Sequence, residues 1–176
     1  LKEIHDDMKK SVMMNRLLQG DVGCGKTIVA ILASAIAVGN KVQVAIMAPT
    51  EILAHQHYEV FRKFADIAKI STALLVGNIK ARERKPILSG LKNGKISIVV
   101  GTHALIQKDV EFKKLGLVIV DEQHRFGVMQ RGDLVTKGQN PHFLAMTATP
   151  IPRTLSITYY GDMDISIIDE MPKDRI

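Results

Sequence analysis

The chain has a single cysteine, no tryptophan, and no run of like charge among its 176 residues. A lone thiol, Cys24, has no partner for an internal disulfide, which favours a reducing compartment such as the cytoplasm. No apolar run approaches the roughly 18 residues needed to cross a bilayer. The longest, Ile28 to Val38, is short for a span, so no membrane partner is expected. A secretory leader is also missing, because the first ten positions, Leu1 to Lys10, are charged throughout. The sequence lacks an initiator methionine, as expected of a piece cut from a longer chain. Repeats, low-complexity tracts and linkers are absent too.

What is present suits one domain. Hydrophobic residues make up 46% and charged residues 24% of the chain, enough for a sizeable core inside a solvated surface. Twenty-four Lys and Arg against eighteen Asp and Glu leave a formal charge of +6. A modest positive excess suits a polyanionic partner such as nucleic acid; on charge alone, a merely basic soluble domain fits as well.

Short apolar runs alternate with helix-like stretches. Leu1, Ile4 and Met8 fall on one helical face. Helices are expected over Thr27 to Val38, where Gly39-Asn40 makes a stop, over Glu51 to Phe64 and over Lys80 to Leu91. Strands are expected over Arg16 to Gln19, Val42 to Met47, Ile70 to Val76, Ile96 to Val100, Leu117 to Val120, Phe143 to Met146 and Ile165 to Ile168. Unbroken Val, Ile and Leu runs suit parallel strands covered on both sides. The alternation implies an open α/β sheet with helices on both faces and ligands at the carboxyl ends of the strands.

Gly20-Asp21-Val22-Gly23-Cys24-Gly25-Lys26-Thr27 fits G-x-x-x-x-G-K-[ST] between a strand and a helix, the context such a loop requires. Its glycines let backbone approach an anion closely, and freed amides at a helix start favour phosphate. Lys26 can reach the β- and γ-phosphates, and the Thr27 hydroxyl can ligate Mg²⁺. Cys24 reads as a small filler whose backbone matters, with a redox thiol as the alternative. Further on, Leu117-Val118-Ile119-Val120 runs into Asp121-Glu122-Gln123-His124. A buried strand ending in two acids is the second half of a nucleotide-hydrolysing site. Asp121 can hold Mg²⁺ through water and Glu122 can orient and deprotonate the attacking water. On its own, an Asp-Glu pair also serves as a helix cap. His124, beside the acids, reads as a coupling residue. His5, His55, His57 and His142 read as ordinary structural histidines.

With these residues in hand, the chain resembles the superfamily 2 helicases. Ala48-Pro49-Thr50-Glu51-Ile52-Leu53-Ala54 looks like motif Ia of that family, Val100-Gly101-Thr102-His103 like motif Ib, Asp121 to His124 like motif II, and Thr147-Ala148-Thr149-Pro150 like motif III. The stretches Asp121 to Val128 and Thr147 to Thr154, with Gly20 to Gly23, look like the branch that remodels stalled forks and branched junctions. Met14 to Gln19 and Ile168 to Pro172 fit the same branch. Transcription-repair coupling factors share several of these runs, though they more often carry Asp-Glu-Glu-His. A nucleotide-binding module outside the helicases is the remaining alternative.

The resemblance implies a single RecA-like P-loop NTPase domain over residues 1–176, with a mostly parallel central sheet. It implies ATP and Mg²⁺ as cofactors and branched double-stranded DNA, bound without regard to sequence, as partner. Pro49, Thr50, Thr102 and His103 would grip the DNA backbone. Gln123, His124, Thr147 and Thr149 would couple that grip to the nucleotide. The family's wedge domain, its second RecA-like domain with arginine fingers and its adenine-reading segment are expected outside this sequence, and the piece alone is expected to hydrolyse ATP poorly. Arg125, Arg131 and Arg153 face either DNA or those domains, or carry no role. Phe126 is the one aromatic near a motif, so a base-stacking platform is not supported.

Overall fold

The computed structural model describes residues 1–122, 128–149 and 163–169, with backbone alone for 128–131. Seven strands form one sheet: β1 (Asn15–Gly20), β2 (Gln43–Met47), β3 (Thr72–Leu75), β4 (Ile98–Gly101), β5 (Leu115–Asp121), β6 (His142–Thr147) and β7 (Asp164–Ile168). Their order across the sheet is β3-β4-β2-β5-β6-β1-β7, and every pairing is parallel. The expected mostly parallel sheet is thus wholly parallel among the described residues.

Both faces are covered, which explains the unbroken apolar runs. In β5, Leu117 and Ile119 point into one core and Val118 and Val120 into the other, all fully buried. The first core is closed by α1 (Lys2–Met8), α2 (Lys26–Gly39) and α3 (Glu51–Ala68) through Ile4, Ala30, Ala33, Ala54 and Phe61. The second is closed by α4 (Ala81–Asn93), a 3₁₀ turn over His103–Ile106 and α5 (Val128–Val135), through Leu91, Leu105 and Leu134. Small alanines on α2 let that helix lie close to the sheet. Exposed positions of α3, such as Gln56 and Lys63, carry the polar groups of an amphipathic helix.

One polar network crosses this apolar frame. Arg16 of β1 is buried, and its Nε and Nη2 donate to Asp7 Oδ2 of α1 at 2.8 and 2.6 Å. Its Nη1 donates to Ser166 Oγ of β7 at 2.8 Å and to Glu3 Oε2 at 3.3 Å. A charge inside a sheet is tolerated when it is paired and fully hydrogen-bonded. Arg16 thereby ties the first helix to the strand on the far side of β1. Nearby, burial pushes the His142 imidazole below its ordinary value, consistent with a neutral ring whose Nδ1 accepts from Met14 N at 3.0 Å.

The topology decides where the polar motifs meet. β6 lies between β1, which ends in the glycine-rich loop, and β5, which ends in Asp121. The carboxyl end of β6 is Thr147, so the Thr147-Ala148-Thr149 segment sits between the two halves of the site. β2, β4 and β3 continue the sheet on the other side of β5. Their carboxyl ends lead into Pro49-Thr50, Thr102-His103 and Val76-Gly77-Asn78.

Candidate nucleotide site

The loop after β1 is shaped by two glycines with different jobs. Gly25 has φ +103°, a left-handed conformation that costs a side-chain-bearing residue about 1–2 kcal/mol, and it turns the chain into α2. At Gly20 the constraint is space, because a Cβ there would lie 2.6 Å from Cys24 Sγ and 3.0 Å from the Ile168 carbonyl oxygen. Cys24 is buried at that contact and acts as the small filler expected of it. No side chain caps the start of α2, and no acid occupies its first turn. The helix therefore presents backbone amides and the positive end of its dipole without a resident negative charge, the electrostatics of an anion site. Lys26 Nζ donates to the carbonyl oxygens of Gly20 at 2.6 Å and Asp21 at 2.9 Å, bracing the loop from inside.

Across from this loop, β5 delivers Asp121 and Glu122. Val22, Gly23, Gly25, Lys26, Thr27, Asp121 and Glu122 line one cavity of about 280 Å³, with Ala148 at its wall. The phosphate loop and the carboxylate pair thus face each other, as the sequence spacing alone could not show. Asp121 is mostly buried, and its Oδ1 accepts from its neighbour's amide, Glu122 N, at 3.0 Å. Glu122 has φ +50°, a conformation that costs a non-glycine residue about 1–3 kcal/mol and clusters at functional sites. The volume falls just below the roughly 300–1,000 Å³ of pockets that enclose a whole small ligand, and suits a phosphate tail.

The donors fit Mg²⁺. Thr27 offers a hydroxyl and Asp121 a carboxylate, hard oxygen ligands of the kind used by an ion that keeps several waters. Among the described residues no cluster of three or more His, Cys, Asp or Glu side chains stands ready to hold a metal by itself. A thiolate- or imidazole-rich site is therefore not what these residues build.

Thr147, expected to couple, is buried at the end of β6, and its Oγ1 lies 2.9 Å from Thr149 Oγ1 and accepts from Thr149 N at 3.2 Å. This local clasp holds the turn that carries Ala148 into the cavity wall. Gln123, His124, Arg125, Phe126, Pro150 and Arg153 lie outside the described residues, as does the side chain of Arg131.

The residues expected to grip DNA divide. Thr50 caps α3, accepting from Leu53 N at 3.3 Å, and remains exposed beside the half-buried Pro49. His103 is exposed as well. Thr102 is 2% exposed, and its Oγ1 is buried without a hydrogen-bond partner. The turn after β4 folds the hydroxyl inward, so in this conformation it offers nothing to a phosphate at the surface. Glu51 completes this rim, with Oε1 accepting from Asn78 N and Oε2 from Asn78 Nδ2, both at 3.3 Å.

His57, read from the sequence as an ordinary structural histidine, lies in the wall of this cavity, its Nε2 2.7 Å from Asp121 Oδ2.

A glycine-rich phosphate loop facing a carboxylate pair, with one parallel strand between them, defines a P-loop nucleoside-triphosphatase. The chain belongs to the DEAD/DEAH box helicase family, whose model matches residues 2–157. Within that family it is similar to the ATP-dependent DNA helicase RecG. It is 58% identical to RecG of Aquifex aeolicus over 99% of its own length and 22% of that protein's. It is 57% identical to RecG of Bacillus subtilis over 99% of its length and 26% of that protein's. A solved structure of RecG bound to a three-way DNA junction superposes with a TM-score of 0.86 at 50% identity, covering 99% of this chain and 23% of that one. The helicase domain of Hef from Pyrococcus furiosus, 21% identical with a TM-score of 0.68 over 96% of this chain and 38% of that one, shares the fold. The chain spans about a quarter of the length of the curated relatives it matches.

Proposed function

We propose that residues 1–176 are the first RecA-like motor domain of a RecG-type DNA helicase, which couples ATP hydrolysis to the remodelling of stalled forks and junctions in repair and recombination. The observation that carries this reading is the single cavity lined by Lys26, Thr27, Asp121 and Glu122. Its helicase character is supported by the family match and by the similarity to RecG over almost the whole chain.

In this reading the amides of Gly20 to Thr27 bind the triphosphate, and Lys26 exchanges its carbonyl partners for phosphate oxygens. Thr27 and Asp121 hold Mg²⁺, which neutralises charge on the phosphates when bound. Glu122 orients the attacking water and takes its proton. Thr147 and Thr149, with Gln123 and His124, connect the cavity to a DNA-facing rim of Pro49, Thr50 and His103. Contacts of this type go to phosphates, so they position DNA without reading sequence. The wedge domain and the second motor domain are supplied by the rest of the longer protein, and the partner is branched double-stranded DNA.

The test is made on the full-length helicase. ATP turnover should rise on adding a three-way junction, and Lys26→Ala should abolish both nucleotide binding and unwinding. Retained unwinding in Lys26→Ala would refute the assignment of the site.

A further inference from the structure

Asp121 uses both carboxylate oxygens within the protein: Oδ1 accepts from Glu122 N at 3.0 Å, and Oδ2 lies 2.7 Å from His57 Nε2. Both side chains of the histidine pair are largely withdrawn from water, at 12% and 13% exposure, yet both border the cavity. The contact spans 64 positions of sequence and joins β5 to α3. A carboxylate with one hydrogen-bonded partner can still turn about its Cβ–Cγ bond. Held at two oxygens by groups on two different elements, it has one orientation, with its remaining lone pairs fixed in direction.

We propose that His57 is a positioning residue for Mg²⁺ binding, holding the Asp121 carboxylate in the orientation that the metal and its waters meet. The inference rests on the reading of the cavity as a Mg·ATP site. His57 touches neither nucleotide nor metal in this scheme; it acts through Asp121. Partners that orient a metal-binding carboxylate typically matter by 10–100-fold in metal affinity, because a free carboxylate must be ordered at the moment of binding. The fixed end of the arrangement is α3, whose buried Ala54 and Phe61 join the core under the sheet on either side of His57.

The experiment uses the full-length helicase and reads binding rather than turnover. The affinity for a fluorescent ATP analogue is measured while Mg²⁺ is titrated, and again with the metal chelated, in wild type, His57→Phe, His57→Gln and Lys26→Ala. His57→Phe keeps the ring's bulk and loses the hydrogen bond, and it should raise the half-saturating Mg²⁺ concentration by roughly 10-fold. It should leave metal-free nucleotide affinity near wild type. His57→Gln retains an N–H at a similar reach and should restore most of the shift. An unshifted Mg²⁺ titration in His57→Phe would overturn the proposal. So would equal shifts in the Phe and Gln variants, since the retained N–H would then count for nothing. Lys26→Ala separates the two levels: if it still binds nucleotide as wild type does, the site itself is misassigned. If it loses binding while His57→Phe is unaffected, the inference about His57 alone fails.

Discussion

Single atoms decide the chemistry at the ends of β1 and β5. Glu122 lines the cavity beside Asp121, and the two acids differ by environment. Asp121 is buried and committed to His57 and a backbone amide, which suits a fixed metal-binding role. Glu122 is only half-buried and sits on a left-handed backbone. Replacing Glu122 by Gln would remove the proposed base while keeping the shape. In the full-length helicase that variant should bind ATP as wild type does and turn it over about 10²–10⁴-fold more slowly. Single-turnover hydrolysis beside equilibrium nucleotide binding checks this, and unchanged hydrolysis would exclude Glu122 as the base. A second residue-scale prediction concerns Gly20. A methyl group there meets Cys24 Sγ at 2.6 Å and the Ile168 carbonyl at 3.0 Å. The thiol can turn aside and the carbonyl cannot, so Gly20→Ala should destabilise the domain by about 1–3 kcal/mol, as overpacking does. The midpoint of urea unfolding reads that directly.

At the scale of elements, Arg16 is a buried charge that links three of them. It joins α1 to β7 through β1, and Asp7 at the other end of the pair is equally buried. Burial raises the Asp7 carboxyl, but the hydrogen bonds from Lys10 and Arg16 outweigh it and hold the group below its ordinary value of 3.8. A carboxylate depressed in the folded state binds fewer protons there than when unfolded. Its stabilising contribution is complete above the ordinary value and is lost as pH falls through the lowered one. Arg16→Met leaves Asp7 buried with Lys10 as its remaining cation and should cost about 3–5 kcal/mol. The same variant should lose part of the acid limb of stability below about pH 4. Urea midpoints from pH 7 to pH 2 measure both effects, and parallel curves for the variant and wild type would refute the linkage.

Elements were legible in the sequence where local rules govern them. β5 follows from an apolar run closed by acids, and the glycine-lysine loop follows from its own spacing. The limits were set by residues that obey tertiary rules. α3 extends beyond Phe64 to Ala68 and ends on Lys69 at φ +55°, a left-handed cap without the glycine that marks such a stop. α5 carries Gly132 in its interior, which reads as a breaker until the packing of Leu134 is known. Arg16 looked like one polar position in a short strand, with no sign of Asp7 or Ser166 beside it. Strand order was equally hidden, since nothing local places β1 between β6 and β7. His57 stood unmarked because its partner arrives from the other half of the chain. The burial of Thr102 was hidden too, because a motif position says nothing of which way a hydroxyl turns.

At the scale of the molecule, the site is built from one side. Every described residue lining the cavity comes from the loop after β1, from the start of α2, from α3, or from the ends of β5 and β6. Among the described lining residues Lys26 is the single Lys or Arg, and there is no arginine. Phosphoryl transfer spreads negative charge over the transferred group and its leaving oxygen, and an arginine brought to that charge is worth about 10³–10⁵ in turnover. If that arginine comes from another part of the longer helicase, binding and turnover should separate in the 176-residue chain. If binding draws on the α2 amides, Lys26, Thr27 and Asp121, as proposed, the isolated chain should hold Mg·ATP and melt at a higher temperature with it. Turnover should fall at least about 10³-fold below that of the full-length protein on junction DNA. Adding DNA to the isolated chain should then not recover it, since DNA bound here would bring no arginine to the cavity. Calorimetric binding and steady-state phosphate release, measured on the same preparation, decide the matter. Turnover within about ten-fold of the full-length rate would mean that this one face of the site already carries the whole of the catalysis.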